Sequence, residues 1–143
     1  MRTQTPSIIL PTVSPIGTET ETIADALEHT SLEFSVETLR DKMVQVSATE
    51  VVVAGLPGPL WIWIELSPYL STTTAAYWSA IGGGGGVMPP TVPTVIAGTG
   101  VTLTTQAVII PWDVHSKYAR VVAQTPVPGA AAFWLIQIMV SAK

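Results

Sequence analysis

A short segment near residue 115 contains the residue types of a hydrolytic site. Asp113, His115 and Ser116 bring a carboxylate, an imidazole and a hydroxyl close together. Catalytic triads, however, are assembled by the fold from distant segments around an oxyanion hole, and a metal ion needs three or four ligands, for which only His29 and scattered acids remain. We expect a loop in which His115 and Ser116 bond nearby backbone. An esterase using Ser116 and His115 is the enzymatic alternative.

Five consecutive glycines at 82–86 offer backbone amides that could cradle a phosphate. The lysine and hydroxyl of a nucleotide-binding loop are missing, and Val87-Met88-Pro89-Pro90 cannot begin the helix that such a site requires. The run predicts a flexible or closely packed loop, or a projecting hairpin that reaches a neighbour. We expect no bound cofactor here.

Other chemistry is limited by the composition. The acidic pairs Glu19 with Glu21 and Glu33 with Glu37 belong to solvated faces, whereas a glycosidase pair needs apolar surroundings that raise one pKa. The chain has no cysteine, which removes disulfides, thiolate zinc sites and cysteine nucleophiles. We therefore predict a protein that is not an enzyme, with no catalytic residues, no cofactor and no metal.

Charge and hydropathy exclude two classes of partner. The net charge is -4, and the six Lys and Arg residues form no basic stripe, so nucleic acid is not expected. The longest apolar stretch, residues 51–64, is interrupted by Gly and Pro and is shorter than the roughly 20 residues of a membrane span. The first residues lack the apolar run of an export signal. We expect no membrane partner and no classical export.

The chain divides into an extended N-terminal arm over residues 1–18 and a single β-sandwich domain over residues 19–143. Pro6, Pro11 and Pro15 surround the short apolar run at 8–10, which favours an arm with an edge strand. One or two helical turns over residues 22–28 remain open.

Alternating residues at 32–37 and 44–48 predict a hairpin with one solvated face. Further strands are expected near 50–54, 60–66, 75–81, 92–97, 101–110, 118–124 and 132–141. This number of short strands predicts an all-β fold, a jelly-roll-like β-sandwich.

Three strands, at 60–64, 107–110 and 133–136, are apolar on both faces. Such strands need cover on both sides, and with almost no helix to provide it, an outer apolar face should be exposed and mark an interface. The candidate interface residues are Ile8, Ile9, Leu10, Trp61, Trp63, Trp78, Trp112, Phe133 and Trp134. Alternatively these runs are central core strands, or a loop at 82–93 folds over the outer face.

The aromatic residues also suit a sugar-binding platform, since apolar ring faces with polar edges match carbohydrate. They equally suit a protein core or interface, where Trp and Tyr are enriched. A carbohydrate-binding or adhesin module is therefore the alternative to a subunit-binding protein.

The segments Ile62-Trp63-Ile64-Glu65-Leu66-Ser67-Pro68, Tyr77-Trp78-Ser79-Ala80-Ile81 and His115-Ser116-Lys117-Tyr118-Ala119-Arg120-Val121-Val122, with the end from residue 134, resemble small β-sandwich virion proteins of tailed phages. The resemblance covers roughly residues 50–143 and is to head decoration or cement proteins. It implies a virion protein made in the host cytoplasm, an oligomer that is a trimer or larger and that clamps a capsid protein without enzymatic activity.

Overall fold

The computed structural model describes residues 7–12, 20–69 and 77–142, and in these residues the chain is all β, with no helix. Its strands are β1 Ser7–Leu10, β2 Glu21–Ile23, β3 His29–Thr30, β4 Phe34–Ser35, β5 Lys42–Ala54, β6 Leu60–Ser67, β7 Ser79–Ala80, β8 Thr94–Ile96, β9 Thr105–Trp112, β10 Tyr118–Gln124 and β11 Ala131–Ala142.

The strands form two antiparallel sheets. Sheet A has the order β1, β11, β5, β9, with β2 also paired to β11. Sheet B has the order β3, β10, β6, β7, with β4 also paired to β10 and β8 to β6. The two sheets pack face to face, which confirms the predicted β-sandwich.

The connections follow the order of a jelly roll. Each of the pairs β1 with β2, β3 with β4, and β7 with β8 lies beside one long neighbour and acts as a single interrupted strand. Counted in this way, successive strands of the described residues lie in opposite sheets at every step except from β6 to β7, and β1 with β2 lies beside β11. This is the arrangement of two Greek keys in a jelly roll.

The core lies between the sheets and is built from alternate residues of the long strands. Along β5 from Lys42 to Glu50, and along β11 from Ala132 to Val140, every second residue is buried, as expected for a sheet with one covered face. In β6 the residues from Ile62 to Glu65 are all buried, so this strand is covered on both faces. The two-sided burial predicted for residues 60–64 is confirmed at these positions.

The hairpin predicted between residues 32–37 and 44–48 is wrong. β4 pairs with β10 in sheet B, and the Val36 amide donates to the Lys117 carbonyl at 2.8 Å, whereas β5 pairs with β9 and β11 in sheet A. The chain therefore crosses between sheets at Arg40-Asp41-Lys42. Alternation identifies the buried face of a strand, but it does not identify the neighbouring strand.

The helical alternative for residues 22–28 is also wrong. Thr22 lies in β2 opposite Leu135, and the Asp25 carboxylate then accepts a hydrogen bond from the Leu27 amide at 3.1 Å. A side chain that bonds the backbone two residues ahead stabilises a turn in competition with a helix.

Two other boundaries differ from prediction. The strands expected at 44–48 and 50–54 are one strand, β5, and the strand expected at 101–110 begins only at Thr105 because a turn occupies residues 101–104. The strand expected at 75–81 is β7, whose first expected residues lie outside the described part of the chain. Of the expected arm, the described residues 7–10 form an edge strand of sheet A.

Candidate interaction surfaces

Most of the candidate interface residues lie inside the chain itself. Six of them are at most 7% exposed, which corrects the expectation that they contact a partner: Ile9, Leu10, Trp63, Trp78, Trp112 and Trp134. Ile8, Trp61 and Phe133 are half-buried on the outer faces of the sheets. Of the nine residues, only these three remain available to a neighbouring molecule.

The outer face of sheet B is covered by the chain's own loop between β7 and β8, residues 81–93. Trp63, Ala80 and Val122 form a second, small apolar cluster on this face, and Trp61 packs against it. The Gly86 amide reaches the face and donates a 2.8 Å hydrogen bond to Glu65. The loop at 82–93 therefore contacts the outer face at Glu65, as expected for the alternative in which this loop folds over that face, while Val87 and Met88 within it are exposed.

Beneath this loop lies a buried ion pair. Glu65 is fully buried, and its Oε2 accepts a hydrogen bond from Arg120 Nε at 2.7 Å and lies 2.6 Å from Arg120 Nη2 in an ion pair. Its Oε1 accepts from Trp63 Nε1 at 3.0 Å, and the Arg120 guanidinium carbon lies 4.3 Å from the centre of the Trp78 ring. The carboxylate has donors on both oxygens, as a buried charge requires.

The glycines make this covering loop possible. All five, at 82–86, have positive φ, a region that other residues seldom adopt. A Cβ on Gly85 would lie 2.6 Å from the Ala80 amide nitrogen and 3.0 Å from Glu65 Oε1. The run is thus a closely packed turn that brings the Gly86 backbone amide to the Glu65 carboxylate of its own chain.

The outer face of sheet A differs from the outer face of sheet B in its charge and in its exposure. We define it as the outward positions of β5, β9 and β11; Phe133, Leu135 and Met139 there are half-buried, and Ile109 is 59% exposed. The other outward residues of these strands are Met43, Gln45, Ser47, Thr49, Val51, Val53, Thr105, Ala107, Pro111, Gln137 and Ser141. This broad face carries no charged side chain.

One end of the sandwich presents apolar side chains from four loops, at 24–28, 55–59, 97–104 and 125–130. Strand pairings such as Ala131 with Ala54 and Leu60 with Ile96 place these loops at the same end. We call their large exposed residues, each between 58% and 73% exposed, the apolar tip: Leu27, Leu56, Val101, Leu103 and Val127. Sequence reasoning missed this set, although the loops at 55–59, 97–104 and 125–130 contain no charged residue.

The segment proposed for hydrolysis is a loop between β9 and β10. Asp113 and His115 are exposed, and Ser116 Oγ donates to the Ser67 carbonyl at 2.9 Å. The hydroxyl thus bonds backbone, although of a different segment from the one expected. Within the described ranges, no group of three or more His, Asp or Glu side chains is placed to hold a metal ion.

Two acidic side chains, Glu21 and Asp25, contact His29 next to the apolar tip. His29 Nδ1 lies 3.0 Å from Glu21 Oε1, and Nε2 lies 3.3 Å from Asp25 Oδ1. The hydrogen bond from the Leu27 amide, followed by the one with His29, lowers the pKa of Asp25. Partial burial raises the pKa of the neighbouring Glu28.

A cleft of about 100 Å³ lies between β6 and β9 and is lined by Ile62, Ile64, Ile110 and Trp112, among other apolar residues. Small-molecule sites usually enclose roughly 300 to 1,000 Å³. The cleft is therefore too small for a substrate or cofactor of ordinary size.

Comparison with known proteins adds no family to this description. The chain matches no protein-family model, and no curated protein shows a significant match to it. None of the described residues forms a helix long and apolar enough to cross a membrane.

Proposed function

We propose that this chain is a structural protein of a virion, a capsid decoration, cement or minor head component that stabilises an assembly through subunit contacts. It is made in the host cytoplasm and works in the particle. Its partners are copies of itself, in a trimer or a larger oligomer, and a capsid protein. The proposal assigns no chemistry to the chain, and its mechanism is the burial of surface between subunits.

The single observation that carries the proposal is the uncharged outer face of sheet A. The centres of protein interfaces are depleted of charged residues, and burial of apolar surface stabilises a contact by roughly 25 cal/mol per Å². The Gln, Ser and Thr residues among the apolar ones keep the isolated chain in solution without placing an ionic group in the contact. Jelly rolls are common in capsids and also in lectins, so the fold alone does not decide the function.

The first test measures self-association by light scattering after size-exclusion chromatography at micromolar concentrations. We expect an oligomer, and we expect Leu135→Lys and Ile109→Lys to shift it toward the monomer because each places a charge in the contact. Val87, 71% exposed on the covering loop of the opposite face, supplies the control Val87→Lys. A wild-type chain that is monomeric at these concentrations would contradict the self-association.

The second test asks whether the chain is present in particles. Purified particles from the source of the gene are analysed by mass spectrometry for peptides of this chain, in a constant ratio to the coat protein. Absence from the particles would contradict the virion assignment.

The carbohydrate-binding alternative is supported by one aromatic pair. Tyr69 and Tyr77 are 58% and 52% exposed, with ring centres 5.3 Å apart. Exposed rings of this kind can stack on a sugar. Glycan-array binding that is lost in Tyr69→Ala and Tyr77→Ala, with no particle association, would favour this alternative over the first proposal.

A further inference from the structure

We propose that the apolar tip is a rigid docking element that inserts into an apolar recess on a protein partner, with basic residues of the partner beside Leu27. This inference rests on the proposed function and adds a second contact, separate from the face of sheet A, through which the chain binds the coat lattice. Three observations carry it: the loops are held rigidly, one exposed leucine has a strained backbone, and the charges are unevenly placed.

A buried carboxylate holds the loop at 97–104. Glu50 is fully buried, and its side chain accepts hydrogen bonds from the Thr99 amide, from Thr99 Oγ1 at 2.9 Å and from the Gly100 amide at 3.1 Å. Its backbone also bonds the Thr104 carbonyl and the Leu103 amide. A fully buried charged side chain is therefore used to fix a loop whose Val101 and Leu103 point into solvent.

The neighbouring loops are packed against one another through glycines. A Cβ on Gly58 would overlap the Val127 carbonyl oxygen, and one on Gly129 would overlap the carbonyl oxygen of Leu56. Trp134 Nε1 also donates to the Gly58 carbonyl at 2.8 Å. The loop backbones that carry the exposed side chains are thus held in place before any partner binds, which reduces the entropy lost on binding.

Leu103 occupies its position against its conformational preference. It is the third residue of the turn from Val101 to Thr104, its φ is +62°, and its side chain is 73% exposed. Gly or Asn is favoured at such a position, and a bulky residue with positive φ is an outlier. A large apolar side chain that is both strained and hydrated is explained by a contact outside the chain, since strained residues of this kind concentrate at functional sites.

Charge placement indicates the occupant. Three of the four loops carry no charge, whereas Asp25 and Glu28 flank Leu27 on the fourth. A second copy would bring the same carboxylates together across the contact. A lipid surface is disfavoured because the tip has neither the cations nor the aromatic rings that favour the bilayer interface. A protein recess with an apolar floor and with Lys or Arg at one side matches both the uncharged loops and the carboxylates that flank Leu27.

The test measures binding of the full chain to particles prepared without it, by co-sedimentation. The variants are Leu103→Asn and Leu103→Gly, with Val114→Asn as the control, because Val114 is 45% exposed in the β9–β10 loop at the opposite end. We expect the Leu103 variants to bind at least tenfold more weakly while unfolding at the same or a higher temperature than wild type. We expect the control to bind as wild type does, and the oligomer measured in solution to be unchanged in all three.

Three outcomes would overturn the inference. Unchanged binding of the Leu103 variants would show that the tip makes no contact, even if the chain is a particle protein. Binding of wild type, but not of Leu103→Asn, to phosphatidylcholine or phosphatidylglycerol vesicles would identify lipid as the occupant. A wild-type chain that binds no particles would overturn both the proposed function and this extension of it, a result separable from the first by the wild-type control.

Discussion

Arg120 donates a hydrogen bond from Nε to Glu65 Oε2 at 2.7 Å, and its Nη2 lies 2.6 Å from the same oxygen, in an ion pair on the outer side of a sheet. Outer faces usually contact water, but here the carboxylate is fully buried, and the loop at 81–93 bonds it through the Gly86 amide. The ion pair therefore belongs to a second interior, on the opposite side of sheet B from the main core. Its consequences can be measured.

Removal of one partner of this pair should destabilise the chain strongly. In Arg120→Ala the Glu65 carboxylate keeps its burial and loses its counter-charge, which typically costs about 3 to 5 kcal/mol. Urea unfolding followed by tryptophan fluorescence measures the loss. The control is Arg40→Ala, at an exposed position where a loss of less than about 0.5 kcal/mol is expected. Equal effects of the two substitutions would contradict a buried role for Arg120.

Two glycines with the same φ allow strain and packing to be separated. Gly55 and Gly85 both have φ of +77°, but a Cβ on Gly55 meets nothing within 4 Å, whereas one on Gly85 lies 2.6 Å from the Ala80 nitrogen. Gly55→Ala should cost about 1 to 2 kcal/mol from backbone strain. Gly85→Ala should cost roughly 1 to 3 kcal/mol more from overpacking.

Acrylamide quenching of tryptophan fluorescence provides an independent measurement for these two glycine variants. If the covering loop shifts in Gly85→Ala, Trp78 becomes accessible and its fluorescence is quenched more strongly than in Gly55→Ala. Indistinguishable stability and quenching in the two variants would mean that residue 85 is not packed as described.

Glu50→Gln tests the loop that supports the apolar tip. The substitution retains the shape of the side chain but removes its charge and turns one acceptor into a donor that faces other donors. Because hydrogen bonds to a charged group contribute roughly 1.5 to 3 kcal/mol, we expect a loss of stability in that range. Hydrogen exchange should accelerate at the Thr99 and Gly100 amides, while the amides of β10 exchange as before. Slow exchange at both loop amides would argue against the anchoring role.

Asp25 should stabilise the fold at neutral pH and lose that effect in acid. The Leu27 amide, with His29, lowers the pKa of Asp25, so the ionised carboxylate is favoured in the folded chain. This stabilisation is present above the unfolded pKa and is lost as pH falls through the folded pKa. Asp25→Asn should lower stability at neutral pH and have little effect in acid. Urea unfolding between about pH 3 and pH 8 measures the difference, and an effect that is independent of pH would refute it.

Glu28 should have the opposite effect on stability as the pH changes. Burial raises its pKa, the Glu65 carboxylate adds to the rise, and Arg120 opposes it. The folded chain therefore favours the protonated form, a contribution present below the unfolded pKa and lost as pH rises through the folded pKa. Glu28→Gln should make the chain more stable at neutral pH and change little in acid. Destabilisation at neutral pH would show that the charged form makes a favourable contact.

The fold class and the positions of the long strands could be predicted from the sequence because they depend on local patterns. Alternation and apolar runs identified β6, β10 and β11, and the number of strands indicated the sandwich. The neighbour of β4 could not be predicted in this way, because pairing depends on contacts such as that of Val36 with Lys117, distant in the chain.

The surfaces were harder to predict than the strands. An apolar run indicates that both faces of a strand are buried. It does not indicate whether a partner or another part of the same chain buries them. The strand at residues 60–64 has apolar side chains on the outer face of sheet B as well as in the main core, and the glycine-rich loop packs on that outer face. Glu65, the only charged residue between Val51 and Trp112, was the available signal, since a lone carboxylate in an apolar strand implies buried donors.

The uncharged face of sheet A has a consequence for ionic strength. Screening by salt weakens contacts between charges over about 8 to 10 Å, and this face has no charges to screen. Sodium chloride should therefore leave association through it nearly unchanged. Sulfate, which strengthens the burial of apolar surface, should increase association, and an assembly formed through this face would tolerate wide changes in sodium chloride concentration.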